Sequence, residues 1–459
     1  MRQPEPKLRA FAMAGLLGLA ASRTLAAADG ALDPSFNGSG MATVAVGGIA
    51  VGLAAAAQPD GKVLVAGRSE LPTPSDPDNV AFVIARHNAD GTADSTFGPL
   101  HDGAVTVDFD LGEPGQRQDV ATAIALQPDG RIVVAGYATV GSFERHLAVA
   151  RLTRFGILDP TFGGGDGKVT YAATAALSPS LSAAVLVRRD GRIVLTPLYL
   201  HDENALLQLQ GSGDLDPSFG DGGRSEVWGC CGDFLKTLEM PDGNLLTLGT
   251  NVNAVVLARF VATGSEAGSF DAGFGDGGVA SFPLPEHVEV ADMALDTQGR
   301  AMVLTRRLDE LPNTGLLRLR GDQPDPTYGI GGWSRFTFLA PDSVFAYATA
   351  LVVQSDGKPV LAGDSFLDGN SDVLIARRTA NGNAEDSAFS GGTRVIRFDL
   401  GGELADRANA VLLSGGRAVV AGSASADSGA QLALARLDNA LLWSDGFESG
   451  STWFWSGTP

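Results

Sequence analysis

The stretch ATAIALQPDGRIVVAG, residues 121–136, decides the fold. Ala121 to Gln127 alternates in side-chain character, as a strand with two unlike faces does. It runs through Pro128-Asp129-Gly130 into Arg131 to Ala135, an apolar run rich in β-branched residues. An apolar run on each side of an Asp-Gly turn is a hairpin signature. Downstream, Leu147 to Leu152 reads as a third strand, bounded by the turn opener Asp159-Pro160, and Gly167 to Tyr171 as a fourth. Asp suits such a turn because its carboxylate accepts a nearby backbone N–H, and the following Pro pre-sets the next φ.

This four-strand unit recurs. The D-x-x-F/Y element stands at Asp33-Phe36, Asp94-Phe97, Asp159-Phe162, Asp216-Phe219, Asp271-Phe274, Asp325-Tyr328 and Asp386-Phe389. The hairpin turn stands at Asp60-Gly61, Asp129-Gly130, Asp190-Gly191, Asp242-Gly243, Gln298-Gly299, Asp356-Gly357 and Gly415-Gly416. From Gly61 to Gly416 the turn advances 355 residues in six steps, about 59 per unit. Helical periodicity is essentially absent. Seven four-stranded units predict an all-β chain forming a single seven-bladed β-propeller, because radial closure leaves only short, protected sheet edges. A stacked solenoid is the rival architecture. The chain ends favour the ring: after the third strand of the last unit, Gln431 to Leu437, no fourth follows, yet Met41 to Val46 is a fourth-strand sequence with no unit of its own. Met41–Val46 is expected to complete the final blade and lock the ring, whereas a solenoid would need capping ends instead.

Composition agrees. Hydrophobic residues make up 44% of the 459, enough for a large core, and 60 Gly with 23 Pro suit many tight turns. Residues 1–28 read as a signal peptide, with Lys7 and Arg9 before the apolar run Ala10 to Ala21 and the small residues Ala26-Ala27-Ala28 at the cleavage position. That run is too short for a membrane span of about 20 residues. No later segment is long and apolar enough to be one. The expected domains are therefore the signal peptide at 1–28, the propeller at 29–440 and a C-terminal tail at 441–459. The protein is expected to be exported, to the periplasm, cell surface or medium, and to be a monomer. Net charge is −20 for the whole chain. Such a surface repels nucleic acid, so no nucleic-acid partner is expected.

The units D-P-S-F-G-D-G, Q-P-D-G-K/R, V-V-A-G and A-L/V-A-R resemble the bacterial delta-60 repeat family, over about Leu32 to Leu437. That family is similar to other bacterial propeller repeats of the NHL type. The third unit departs at Arg189-Asp190-Gly191, the fifth at Thr297-Gln298-Gly299 and the seventh at Ser414-Gly415-Gly416. The resemblance implies an extracytoplasmic propeller and no catalytic residues. In the tail, Asp445-Gly446-Phe447-Glu448-Ser449-Gly450 resembles a segment near the C-termini of many secreted bacterial proteins. Gly450-Ser451-Thr452-Trp453 also resembles the G-x-T-W end of a sialidase Asp-box, whose Ser and Asp positions here hold Gly446 and Glu448. An export or docking signal and a strand against the last blade both suit the tail.

Repeated residues are candidates first for structure. An Arg ends the third strand at Arg86, Arg151, Arg259, Arg318, Arg377 and Arg436, with Gln208 in the remaining unit. With Asp33, Asp94, Asp159, Asp216, Asp271, Asp325 and Asp386 they suggest an ionic contact inside each blade. The Gly-rich loops at 163–167, 220–223 and 275–278 lack the Lys-Ser/Thr of a phosphate loop and open no helix. Asn88, Asp90 and Asp94, spaced i, i+2 and i+6, partly echo an oxygen-ligand loop for calcium, the one cofactor the sequence suggests. Turn formation explains the same three residues.

Departures from the repeat are candidates for function. Cys230-Cys231 is the cysteine complement of the chain, and in an oxidising compartment the pair would close a vicinal disulfide or cross-link to another chain. The insertions Leu71 to Asn79 and Gly112 to Asp119 are expected on one face. Five histidines give little material for a multi-histidine metal site, and no Ser/His/Asp order or H-E-x-x-H helix is visible. The reading is a secreted or surface binding or scaffold module that recognises a protein or glycan across the propeller face. The alternative is a metal-assisted hydrolase or lyase at the channel mouth.

Overall fold

In the computed structural model, residues 29–438 are described apart from 142–143, 173–182, 198–202, 229–232, 252, 308–312, 342, 368–369 and 402–404. The expected signal peptide and C-terminal tail lie outside the described residues. Seven antiparallel sheets form, each built on four strands. Blade 1 comprises Ala50–Ala57, Val63–Glu70, Val80–His87 and Ala104–Val107. Blade 2 comprises Val120–Leu126, Ile132–Thr139, Arg145–Leu152 and Lys168–Ala172, within a few residues of the strands legible in the sequence. Blades 3 to 6 begin at Ala183–Val187, Asp233–Glu239, Val288–Leu295 and Phe345–Val353.

Blade 7 is made from both ends of the chain. Arg407–Ser414, Arg417–Ala426 and Gly429–Leu437 supply three strands, and Met41–Val44 adds the fourth, with Met41 opposite Ala435 and Val44 opposite Leu432. The pairing continues outward, since Asp33 N–H donates to the Arg436 carbonyl and Gly30 N–H to that of Asp438. The first strand of every blade packs on the first strand of the next, blade 7 on blade 1 included. Seven such contacts close a ring and exclude a solenoid.

Small residues make that convergence feasible. The innermost strand of blade 1 contains Ala54 to Ala57, and that of blade 2 alternates Ala121, Ala123 and Ala125. In six blades this strand carries a β-bulge, as between Ala121 and Ala123, which sharpens its twist where it nears its neighbours. Between each pair of adjacent blades lies one apolar cluster, the side chains of two facing sheets interdigitating.

The first hairpins follow turn chemistry. In blade 2, Gly130 N–H donates to the Gln127 carbonyl and Gly130 sits at φ 84, so a Pro-Asp turn is finished by a left-handed Gly. Blade 7 has no Pro-Asp and uses a two-residue loop, Gly415 and Gly416 at φ 55 and 76 between the paired Ser414 and Arg417. That is the primed turn a tight hairpin prefers.

Candidate functional site

Antiparallel order divides the ring into two faces. Connections between strands 1 and 2 and between strands 3 and 4 share one end of the blades, and these carry the repeated motifs. Connections between strands 2 and 3 and from one blade to the next share the other end, and these carry the insertions. The two are called here the repeat face and the loop face.

On the repeat face each motif Asp is the centre of a node. Arg86 Nε lies 2.7 Å from Asp94 Oδ2, Arg151 Nε 2.9 Å from Asp159, and Arg259 Nε 3.2 Å from Asp271. Arg318 Nε is 2.9 Å from Asp325, Arg377 Nε 2.9 Å from Asp386, and Arg436 Nε 2.7 Å from Asp33. The second carboxylate oxygen accepts the backbone N–H two residues on, as Asp94 Oδ1 does from Thr96 at 3.0 Å. The guanidinium lies over the motif ring, 4.5 Å from the Phe97 centroid and 4.5 Å from that of Tyr328. Its outer nitrogen reaches the next blade: Arg86 donates to the Arg154 carbonyl, Arg151 to Gly211, and Arg318 to Ala380 at 2.9 Å. The motif ring also crosses that interface. Phe97, fully buried, presses on Gly156 of blade 2, where a Cβ would come within 2.8 Å of the ring at a φ of 78. Where these contacts form, the node staples one blade to the next; in blade 4 the outer nitrogen of Arg259 turns instead to Asp242 of its own blade.

A second cation completes the node, from a residue whose role sequence reasoning missed. The residue after the hairpin Gly pairs with the same carboxylate: Lys62 with Asp94 at 2.7 Å, Arg131 with Asp159 at 2.9 Å, Arg192 with Asp216 at 2.6 Å and Arg417 with Asp33 at 2.9 Å. The signal was there, in the K/R that follows most hairpin turns. Burial acts to raise the Asp94 carboxyl, but hydrogen bonds from Lys62 and Thr96 and the Arg86 charge hold it well below the usual range. Burial likewise acts on Asp216, which Ser218, Arg192 and Gln208 draw down to about 2.

Blade 3 builds the node by exchange. Gln208 replaces the strand-3 Arg, and its Nε2 keeps the bond to Asp216 at 2.9 Å. The missing guanidinium comes from Arg188, at the hairpin position where blade 2 has Gln127. Arg188 Nη1 donates to Gln208 Oε1 at 2.7 Å and to the Ala262 carbonyl of blade 4 at 3.1 Å, the counterpart of Gly211 and Arg154. Arg and Gln have traded places and the contact to the next blade survives.

The calcium candidates belong to this face. Lys62 Nζ lies 2.9 Å from Asn88 Oδ1 and 2.7 Å from Asp94 Oδ2, so an ammonium stands where a cation would bridge them. Asp90 is turned to Thr92, accepting its hydroxyl at 2.6 Å. Among the described residues no group of three or more His, Cys, Asp or Glu side chains is arranged for a metal ion.

The loop face carries the two insertions. The two insertions brace each other: Gly115 N–H donates to Asp76 Oδ1 at 2.7 Å, and Gln118 Nε2 to the Asp78 carbonyl at 3.1 Å. Asp119 accepts Phe109 N–H at 2.7 Å, and burial, helped by Asp108 and Asp110, pushes its carboxyl up to about 7. Blade 6 repeats the device, Asp406 accepting Phe398 N–H at 2.8 Å and raised by burial. A shared F-D-L-G, at 109–112 and 398–401, was the unread signal. Cys230 and Cys231 lie outside the described residues. Among the described residues no helix is long and apolar enough to cross a membrane.

Residues 58–97, 127–162 and 354–387 match the family described as a β-propeller domain of unknown function (DUF5122). The chain is a β-propeller protein. No curated protein matches this propeller. Among solved structures it is similar to the BP39L lectin from Burkholderia pseudomallei, at 13% identity over 86% of this chain and 97% of that one, with a TM-score of 0.48. It is similar to Chaetomium thermophilum Sqt1 bound to the N-terminus of ribosomal protein L10, at 15% identity over 83% and 84%, TM-score 0.40. A puromycin hydrolase gives 14% identity over 87% of this propeller and 53% of that chain, TM-score 0.42. Identities this low leave each function with its own protein.

Proposed function

We propose that this protein is an exported binding or scaffold module of the delta-60 repeat type, recognising a protein or glycan through the loop face. One observation carries the reading. The charged side chains that recur through the blades are engaged with one another at the nodes, whereas the two insertions, 71–79 and 112–119, stand at the opposite end of the blades. A surface that varies on a rigid, closed frame is the usual arrangement of a recognition site. The carboxylates best placed to serve a metal-assisted reaction are held by Arg and Lys, which favours binding over hydrolysis or lysis.

The test is a ligand screen of the full exported chain on a glycan array and against surface-protein extracts. Two variants accompany it, one with 71–79 and 112–119 replaced by short Gly-Ser turns, the other with the exposed repeat-face residues Asp166, Asp221 and Asp276 changed to Asn. Ligand lost in the first and kept in the second supports the loop face. Ligand lost in the second alone, or an empty screen, refutes it.

A further inference from the structure

Blade 5 breaks the repeat in three places that meet at one spot. On strand 2 most blades have a Gly pressed by the bulged inner strand: a Cβ at Gly67 would lie 1.8 Å from the Val51 carbonyl oxygen, and one at Gly136 1.9 Å from that of Val120. The strand-3 residue opposite is then larger, Val83 against Gly67 and Leu374 against Gly363. Blade 5 reverses the pair, with Thr305 on strand 2 opposite Gly315 on strand 3. On strand 4 the residue beside the strand-3 core is Trp333, where blades 1, 2, 4 and 6 have Ala104, Lys168, Val279 and Thr393. Opposite Gly315 stands Arg335, where those blades have Thr106, Thr170, Ser281 and Val395.

The three changes open a cleft. With no side chain at 315, the indole of Trp333 settles over the strand, 3.7 Å from where a Cβ would be. The space between it, Leu284 and Pro285 of the blade 4–5 connection and Val288 at the start of blade 5 is a shallow cleft of about 120 Å³, open to solvent on the loop face. That is smaller than an enclosed small-molecule pocket, roughly 300–1,000 Å³, and suits a single ring lying against an open surface. Arg306, Arg307 and Arg335 stand around it. Arg306 is shared with Glu289 at 3.2 Å, while no carboxylate among the described residues pairs with Arg335. The Arg335 guanidinium lies over the Trp333 ring at 5.5 Å from its centroid and would move aside to admit a ring there. Three guanidiniums at one mouth run against a chain of net charge −20.

We propose that this cleft binds an anionic sugar of the uronic-acid class, its ring against Trp333 and its carboxylate held by Arg335. An indole face suits the C–H face of a pyranose, apolar on its surface with polar groups at its rim. A guanidinium is the side chain best shaped for a carboxylate, through two parallel N–H donors. An acidic peptide would satisfy the arginine and leave the indole uncovered. The assignment rests on the binding-module reading and names the ligand class and the place.

Titration calorimetry of the full exported chain with tetragalacturonate tests it, with tetragalactose and tetraglutamate as controls. Tetragalacturonate is expected to bind at least tenfold more tightly than either control, and more weakly as salt rises. Arg335→Glu and Trp333→Ala are each expected to weaken it at least tenfold. Because Arg335 is exposed, its melting temperature should stay near wild type. The pair Thr305→Gly with Gly315→Val, which restores the blade 1 arrangement of Gly67 opposite Val83 and avoids the 2.5 Å approach of a 315 Cβ to Thr305 Oγ1, should give the same loss by another route. Equal binding of tetragalactose or tetraglutamate, wild-type affinity in Arg335→Glu, or no binding of tetragalacturonate overturns the assignment. If the wider screen still returns a loop-face ligand, the binding module survives that failure; if it too is empty, both readings fall.

Discussion

The two faces of the ring use the same residue, aspartate, in opposite electrostatic settings. On the repeat face, hydrogen bonds and neighbouring cations overcome burial and depress Asp33, Asp94, Asp159, Asp216, Asp325 and Asp386. Toward the loop face, burial dominates and raises Asp119, Asp364 and Asp406, whose main partners are backbone N–H groups. The first arrangement is a permanent charge pair that crosslinks blades. The second is a carboxyl tied down chiefly by the chain beside it; of the three only Asp364 has cations near, Arg407 and Arg306, and burial outweighs them. Charge on the repeat face is therefore committed to the frame, which leaves the loop face to diverge.

The largest expected effect comes from breaking a node. Asp159→Ala strands Arg151, 2% exposed, and removes a partner of Arg131. Removing one member of a buried pair costs about 3–5 kcal/mol, read as a fall in denaturant midpoint. In blade 3 the strand-3 partner of Asp216 is a neutral amide, so Asp216→Ala should cost less, about 1–3 kcal/mol. Equal losses at the two sites would mean that the guanidinium adds nothing to its node. Asp406→Asn, on the loop face, should change stability by less than either.

A double-mutant cycle sharpens the blade 3 exchange. Arg188→Gln and Gln208→Arg should each destabilise, the first by removing the contact to Ala262 and the second by crowding two guanidiniums. Made together they recreate the blade 2 arrangement, and a coupling of about 0.5–3 kcal/mol is expected. Simple additivity would show that the exchange is incidental.

Titration separates the faces by pH. Asp216, depressed to about 2, contributes stability that is present above the ordinary pKa of 3.8 and is lost as pH falls toward 2. Asp119, raised to about 7, keeps a proton that the unfolded chain releases, so its contribution is full below 3.8 and is lost as pH rises through 7. Asp119→Asn should flatten the loss of stability between pH 4 and 7, and Asp216→Asn the loss below pH 4. A wild-type slope between pH 4 and 7 in Asp119→Asn would contradict the buried, protonated carboxyl.

Much of the frame was legible because it repeats. Seven Asp-x-x-Phe/Tyr elements and seven turns gave the blade count, and Met41 to Val46 without a unit of its own gave the closure. What was hidden depends on pairing across strands. Gln208 reads as a lone departure and Arg188 is not singled out at all, since nothing in the order of residues says that a hairpin and a third strand share one node. Thr305, Gly315, Trp333 and Arg335 are unremarkable one at a time, and only the register of blade 5 brings them to one cleft. The Lys or Arg after the hairpin turn was visible yet reads as a solvated charge until the carboxylate opposite is known.

The central claim is that the two ends of the chain make one blade, and the most direct test is a variant that begins at Val51. Without Met41–Val44 the last blade has a bare edge, and without Asp29 and Asp33 the buried Arg377 and Arg436 each lose a carboxylate. Its melting temperature should fall well below that of the chain beginning at Asp29, and a synthetic peptide of residues 29–46 should restore much of the loss in a concentration-dependent way. Melting like the longer chain, or indifference to the peptide, would contradict the closed ring.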